Sequence, residues 1–339
     1  MIVGILTPIS CDISVGVSPS DAYTRIALCL SLPIISSTFC YNKFAMILYI
    51  GGILQQKYED ILIAEKANRI ISFYNIIANK KNAINLFENW LLVSNFSEQK
   101  LLIDSGAFSI FAMKRGKQKN INIKKYVNNY CSFLKHYNVK QYTTFDYFNN
   151  YKESQRWLLY MEKKGLNPLP VYHYSDPISV FEDYVKYYDY ICIGGIAAIA
   201  YKTNIKRAYG LLDTVFAKRG NSKLHCLGIH TKPILEKYPF YSFDTSIPKL
   251  LAHKGFIIYR GRQINITDRD KGPHFKDLPT KVKQKIQEEI DIEKAREDVW
   301  YLLQYNVKSE INHFSNNSCH RNEFLIHDRL FESKVKYQK

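Results

Sequence analysis

Lys100-Leu101-Leu102-Ile103-Asp104-Ser105-Gly106-Ala107-Phe108-Ser109 is an apolar run that ends in a carboxylate and a turn of small residues. Buried β-strands read as continuous apolar runs from which Asp is depleted, so Asp104 marks the open end of a strand. Ser105, Gly106 and Ala107 leave room beside that carboxylate for a flat ligand to approach the backbone. Asp or Ser ahead of a helix also serves as an N-cap, and on this stretch alone the two readings weigh equally. Recurrence of the pattern along the chain separates them.

Eight segments, at 47–53, 70–76, 100–107, 139–146, 168–174, 190–197, 223–229 and 241–246, are apolar or β-branched and bounded by turn or helix signals. Helical spacing fills the intervals. Ile123, Tyr126, Val127, Tyr130, Phe133 and Leu134 recur three and four apart, as do Phe181, Tyr184, Val185 and Tyr188, and Ile205, Ala208, Tyr209, Leu212, Val215 and Phe216. A further helix around Trp157, Leu158 and Met161 stops at Gly165. Strand and helix repeated eight times predict a parallel α/β sheet, and eight is the number at which such a sheet closes. The expected fold is therefore α/β, a (β/α)8 TIM barrel, with an open doubly wound sheet as the alternative. An N-terminal extension is expected over 1–45, the barrel over 46–260 beginning at Met46, and a basic, mainly helical C-terminal appendage over 261–339. Within the appendage, 278–314 reads as one long or two short helices packing beside the barrel.

The 339 residues carry 47 Lys and Arg against 31 Asp and Glu, a formal net charge of +16, which favours an anionic partner such as nucleic acid. A solvated surface on a Lys-, Asn-, Ile- and Tyr-rich chain is the alternative. Seven cysteines, at 11, 29, 40, 131, 192, 226 and 319, include no Cys-x-x-Cys pair, which favours a reducing compartment and argues against a Cys-rich zinc site. Arg25, Pro33 and Lys43 interrupt the apolar N-terminal region before it reaches the roughly 20 residues that span a bilayer. With no basic signal-like start either, the expected location is the cytoplasm, with no membrane partner.

In a barrel the active site forms where strands end. Those ends carry Asp104-Ser105-Gly106, Asp146, His173, Gly194-Gly195, Gly228 and Asp244-Thr245-Ser246. Taken singly, each has a packing explanation: a cap, a core histidine, a tight turn. Gathering on one rim is harder to attribute to packing.

Leu102-Ile103-Asp104-Ser105-Gly106-Ala107-Phe108 resembles the Thr-Asp-Ser-Gly-Gly-Phe-Gln motif of tRNA-guanine transglycosylases, and Ile193-Gly194-Gly195-Ile196-Ala197 resembles their Gly-Gly-Leu-Ala segment. Leu224-His225-Cys226-Leu227-Gly228 falls where that family carries Leu-Met-Gly-Val-Gly, and Ser242-Phe243-Asp244 is similar to its Phe-Asp. The likeness runs in order over roughly residues 46 to 260 and is closest to the compact, phage-type branch related to DNA deazaguanine transglycosylases. It implies a pentosyltransferase that exchanges guanine for a free 7-deazaguanine base, as in queuosine-like modification, with no cofactor. By the same resemblance Asp244 is the nucleophile at the anomeric carbon and Asp104 the general acid and base. Asp146 reads the Watson–Crick edge of the purine, while Ser105, Gly106, His173, Gly194, Gly195 and Gly228 border it; His173 stands where the tRNA enzymes carry Gln. Two carboxylates, one ionised and one cycling a proton, are also what double displacement with retention requires.

The chain departs from the family at Ala107 and Ser109, and it lacks the Cys-x-Cys-x-x-Cys zinc site, so no metal is expected and DNA or tRNA stays open as the substrate. The basic residues Lys114, Arg115 and Lys117 after the third strand, and Arg260, Arg262, Arg269 and Lys271 after the eighth, are candidate phosphate contacts. Two other functions fit less well. A barrel glycosidase or nucleosidase would use the same carboxylates and pass the sugar to water, whereas a non-catalytic nucleic-acid-binding barrel predicts loss of carboxylates that are present.

Overall fold

A computed structural model describes residues 46–78, 80–112, 121–202, 205–267 and 273–315. The expected extension at 1–45, and Lys114, Arg115, Lys117, Arg269 and Lys271, lie outside the described residues.

Seven short strands form one curled parallel sheet: β1 (Ile47–Ile50), β2 (Asn68–Ser72), β3 (Leu101–Asp104), β4 (Val171–His173), β5 (Tyr190–Gly194), β6 (Lys223–Cys226) and β7 (Ser242–Thr245). Their order is β3-β2-β1-β7-β6-β5-β4, with Tyr49 of β1 in register with Asp244 of β7. Seven of the eight expected segments are thus strands, each ending sooner than its apolar run. After β2 and β5 a helix takes over: Phe73 opens one where strand was expected to continue to residue 76, and Ile196 opens another after β5.

The eighth segment, 139–146, makes isolated parallel bridges at both edges of the sheet, Ile103 with Tyr142 and Thr143 with Leu169. Thr143 N–H donates to Ile103 O at 2.9 Å, and Thr144 N–H to Leu169 O at 2.9 Å. Across the interior, Tyr49 Oη donates to Gln141 Oε1 at 2.9 Å. Regular strand then fails for a local reason. Thr144 Oγ1 faces outward to Met161 Sδ, and Phe145 also packs outward, against Phe111, Tyr126 and Trp157. Two successive outward side chains break the period of two, as a bulge does, and turn Asp146 back toward the inner face.

The helices following β1 to β3 are α1 (Gln56–Ala64), α2 (Phe73–Ala78), α3 (Lys80–Phe96), α4 (Ala107–Ala112) and α5 (Ile123–His136). Next come α6 (Tyr151–Lys163), α7 (Ile178–Tyr187), α8 (Ile196–Lys202), α9 (Ile205–Lys218), α10 (Lys232–Lys237) and α11 (Ile247–His253). Capping explains where two of them start: Asn122 and Asn150 accept the N–H groups of Lys125 and Glu153. Alternate strand residues divide the apolar side chains between two layers. Tyr49, Ile70 and Leu102 point inside the curl with Leu169, whereas Leu48, Ile50, Ile71 and Ile103 pack under the helices. The α5 tyrosines fasten the β3 edge, Tyr126 Oη donating to Ser105 O at 2.7 Å and Tyr130 Oη to Thr143 O at 3.1 Å.

Beyond α11, an antiparallel hairpin of β8 (Phe256–Tyr259) and β9 (Arg262–Asn265) spans the expected domain boundary at 260. Arg260 and Gly261 both have positive φ, 50° and 72°, the backbone that a two-residue hairpin turn requires. Three helices follow rather than one or two: α12 (Thr280–Glu289), α13 (Ile292–Glu297) and α14 (Val299–Ser315). Phe314 of α14 packs on Phe243 of β7, so this last helix lies against the sheet. Among the described residues no helix is long and apolar enough to cross a membrane.

Candidate active site

Strand ends bring three carboxylates to one face. Asp104 closes β3, and its Oδ2 accepts the Gly106 N–H at 3.0 Å while Thr143 Oγ1 approaches Oδ1 at 3.5 Å. That backbone N–H is available because Gly106 turns at φ 79°; a Cβ there would come within 2.6 Å of Tyr74 Cβ. The carboxyl is pushed up to about 7, first by burial and then by the charge of Asp146, with Asp244 adding to it against the pull of the Gly106 N–H. Ser105 Oγ accepts the Ala107 N–H at 3.3 Å, so the same turn that builds the site also satisfies its own backbone.

Asp146 is no helix cap, since Asn150 fills that role for α6. One oxygen of Asp146 meets Ser105 Oγ at 3.5 Å and the other meets His173 Nε2 at 2.6 Å. His173, at the end of β4, is buried, and its Nδ1 has no hydrogen-bond partner. Burial opposes its charged form, but the hydrogen bond and charge of Asp146, with Asp176 behind, outweigh that and raise its pKa. Asp176 Oδ2 accepts the His173 N–H at 2.9 Å. Gly194 makes space for this ring: a Cβ there would sit 2.7 Å from His173 Nδ1. At Gly195, with φ 79°, a Cβ would meet Tyr174 Cδ1 at 2.7 Å. Phe148, 44 % exposed, stands edge-on to His173 with ring centroids 5.4 Å apart.

Asp244 projects from β7. Its Oδ1 accepts the Gly228 N–H at 2.8 Å and approaches His225 Nε2 at 3.2 Å, and no hydrogen bond from the described residues reaches Oδ2. The carboxylates share a neighbourhood, because all three raise the pKa of the fully buried Cys192 thiol on β5, after burial itself. One carboxylate, Asp104, is thus proton-bearing near neutrality, and the other two are each paired with an imidazole, Asp244 through a single oxygen.

The structure therefore brings together Asp104, Ser105, Gly106, Asp146, His173, Gly194, Gly195, Gly228 and Asp244. Gly228, expected to border the base, makes its hydrogen bond to Asp244. Arg260 and Arg262 belong to the hairpin, and Arg260 lines a cavity of about 540 Å³ with Glu65, Glu289, Tyr305 and His313 that none of the three carboxylates lines. Sequence reasoning missed His225, Thr143 and Asp176. His225 had a readable signal: it is a polar residue in an apolar strand, in register with Ser242, two residues before Asp244 on the same face. Among the described residues no three His, Cys, Asp or Glu side chains gather as a metal site. The chain matches no family model and no curated protein.

Proposed function

We propose that this protein is a guanine transglycosylase-like enzyme that exchanges guanine in DNA or tRNA for a 7-deazaguanine base through a covalent glycosyl-aspartate. In this reading the curled sheet is a closed (β/α)8 barrel, with the bridges of Tyr142 and Thr143 supplying the eighth staves between β3 and β4. The carrying observation is that the carboxylates differ in environment as double displacement demands: Asp104 titrates near 7, while Asp244 has one oxygen tethered and the other open.

Asp244 Oδ2 attacks the anomeric carbon as its bond to the purine N9 breaks, and the bonding electron pair leaves with the base. Asp104 gives that base a proton. The incoming deazaguanine returns a proton to Asp104, attacks the same carbon and expels Asp244, so configuration is retained. Asp146, oriented by His173 and Ser105, accepts the donors on the purine's Watson–Crick edge. A stacked nucleotide cannot present its anomeric carbon to this rim, so the target is single-stranded or flipped.

The test is incubation with labelled guanine or a labelled 7-deazaguanine and, separately, tRNA and DNA. Label should enter one polymer, and Asp244→Asn should abolish incorporation. Failure of label to enter either polymer overturns exchange, and release of free guanine without incorporation would assign the carboxylates to a hydrolase.

A further inference from the structure

The proposed reaction gives the buried His225 no task. His225 on β6 is fully enclosed, with Nε2 3.2 Å from Asp244 Oδ1 and Nδ1 2.6 Å from Ser242 Oγ. Ser242 Oγ is in turn 2.5 Å from Tyr190 Oη. Hydrogen-bond bookkeeping then gives the chain a direction. As the attacking nucleophile Asp244 only accepts, so His225 Nε2 carries the hydrogen; with Nε2 as the donor, Nδ1 accepts from the Ser242 hydroxyl, and Ser242 Oγ accepts from Tyr190. Burial keeps the Tyr190 phenol protonated and able to serve as the terminal donor.

Ser, His and Asp side chains in a row also build hydrolytic triads, where the serine is the exposed nucleophile. Here the order of exposure is reversed. Ser242 is fully buried, whereas the carboxylate of Asp244 is the member reaching the open face.

We infer that His225, fixed in its Nε2–H tautomer by Ser242 and Tyr190, is a positioning residue that orients Asp244 for attack through Oδ2. This rests on the assignment of Asp244 as nucleophile. Rotation of a carboxylate exchanges its two oxygens; donors from His225 and Gly228 on Oδ1 remove that equivalence. When the C1′–Oδ2 bond forms, Oδ1 becomes the ester carbonyl oxygen and keeps both donors. When the incoming base expels Asp244, the electron pair of the breaking bond returns to the carboxylate, and the same N–H groups stabilise its charge.

Full-length His225→Leu, His225→Gln and Tyr190→Phe variants test this against the wild type, with melting temperatures confirming that each folds. Exchange is measured as kcat and as KM for the free base, together with the protein–nucleic acid ester trapped under denaturing conditions. His225→Leu should lower kcat by about 10- to 100-fold with KM changed less than about twofold, in line with loss of a hydrogen bond to a charged group, and should yield little trapped ester. His225→Gln, which can still offer an N–H, should recover much of the loss, and Tyr190→Phe should lose about 3-fold. A His225→Leu enzyme with wild-type kcat and ester, or a Gln variant no better than Leu, overturns the inference. A wild type without exchange overturns the transglycosylase reading instead. Nitrogen NMR of labelled histidines is independent of turnover: His225 should be the Nε2–H tautomer, and an Nδ1–H tautomer overturns the inference whether or not the protein is active.

Discussion

Asp104→Asn should make the protein inactive and, above neutral pH, more stable. The folded protein pushes this carboxyl up to about 7 from an ordinary value of 3.8, which disfavours its ionised form by at most about 4 kcal/mol. Solvent at the partly open rim screens part of that, leaving about 1–3 kcal/mol for the amide to recover. The sign follows from proton binding. Below about 4 both folded and unfolded chains are protonated and the group's contribution is intact; between about 4 and 7 only the unfolded chain ionises, so stability falls; above 7 it stays at the lower level. Asn cannot titrate, and its Oδ1 can still accept the Gly106 N–H that Asp104 accepts at 3.0 Å. Urea denaturation of wild type and variant at steps from pH 4 to 8.5 should show a difference near zero at pH 4 that grows to its full value by pH 7.5. Exchange should be lost throughout, because an amide carries no transferable proton. A stability difference that does not change with pH, or that favours the wild type at pH 8, would refute the burial and like-charge account of Asp104.

Asp146→Asn removes the second-largest cause of the Asp104 shift, so carbon NMR titration should find the Asp104 pKa lower than in the wild type; an unchanged or higher value would sever the coupling. Gly194→Ala places a Cβ 2.7 Å from His173 Nδ1 and should push the ring off Asp146, costing about 1–3 kcal/mol of stability. Calorimetric titration should also find base affinity at least about tenfold weaker, and wild-type affinity would count against the Asp146–His173 pair as the base reader. Glu59→Ala strips the fully buried Arg69 of its partner, and takes an acceptor from Trp90 Nε1, at an expected cost of about 3–5 kcal/mol in urea. A loss under 1 kcal/mol would show that Arg69 is satisfied by its bonds to the Ile50, Ile70 and Gly52 carbonyls.

Legibility differed among elements for identifiable reasons. Short apolar runs bounded by turn signals are what strands buried on both faces require, so seven were readable along the chain; their ends were not, because Phe73 and Ile196 suit a helix as well as a strand. Residues 139–146 read as an ordinary strand, and only the outward packing of both Thr144 and Phe145 interrupts it. The β8–β9 hairpin carried a signal in Gly261, yet Arg260 at the other positive-φ position is no usual turn residue, so a helical appendage was the simpler reading.

By itself the sequence determined the alternation of strand and helix and the polar residues at strand ends, because both are local patterns of side-chain chemistry repeating along the chain. Tertiary structure alone decided the identity of each carboxylate's neighbours. Asp104 titrates near 7 because burial and Asp146, 42 positions away in sequence, act on it together, and Asp244 presents one oxygen because Gly228 and His225 occupy the other. Those effects are distances between different strands, which no stretch of sequence contains.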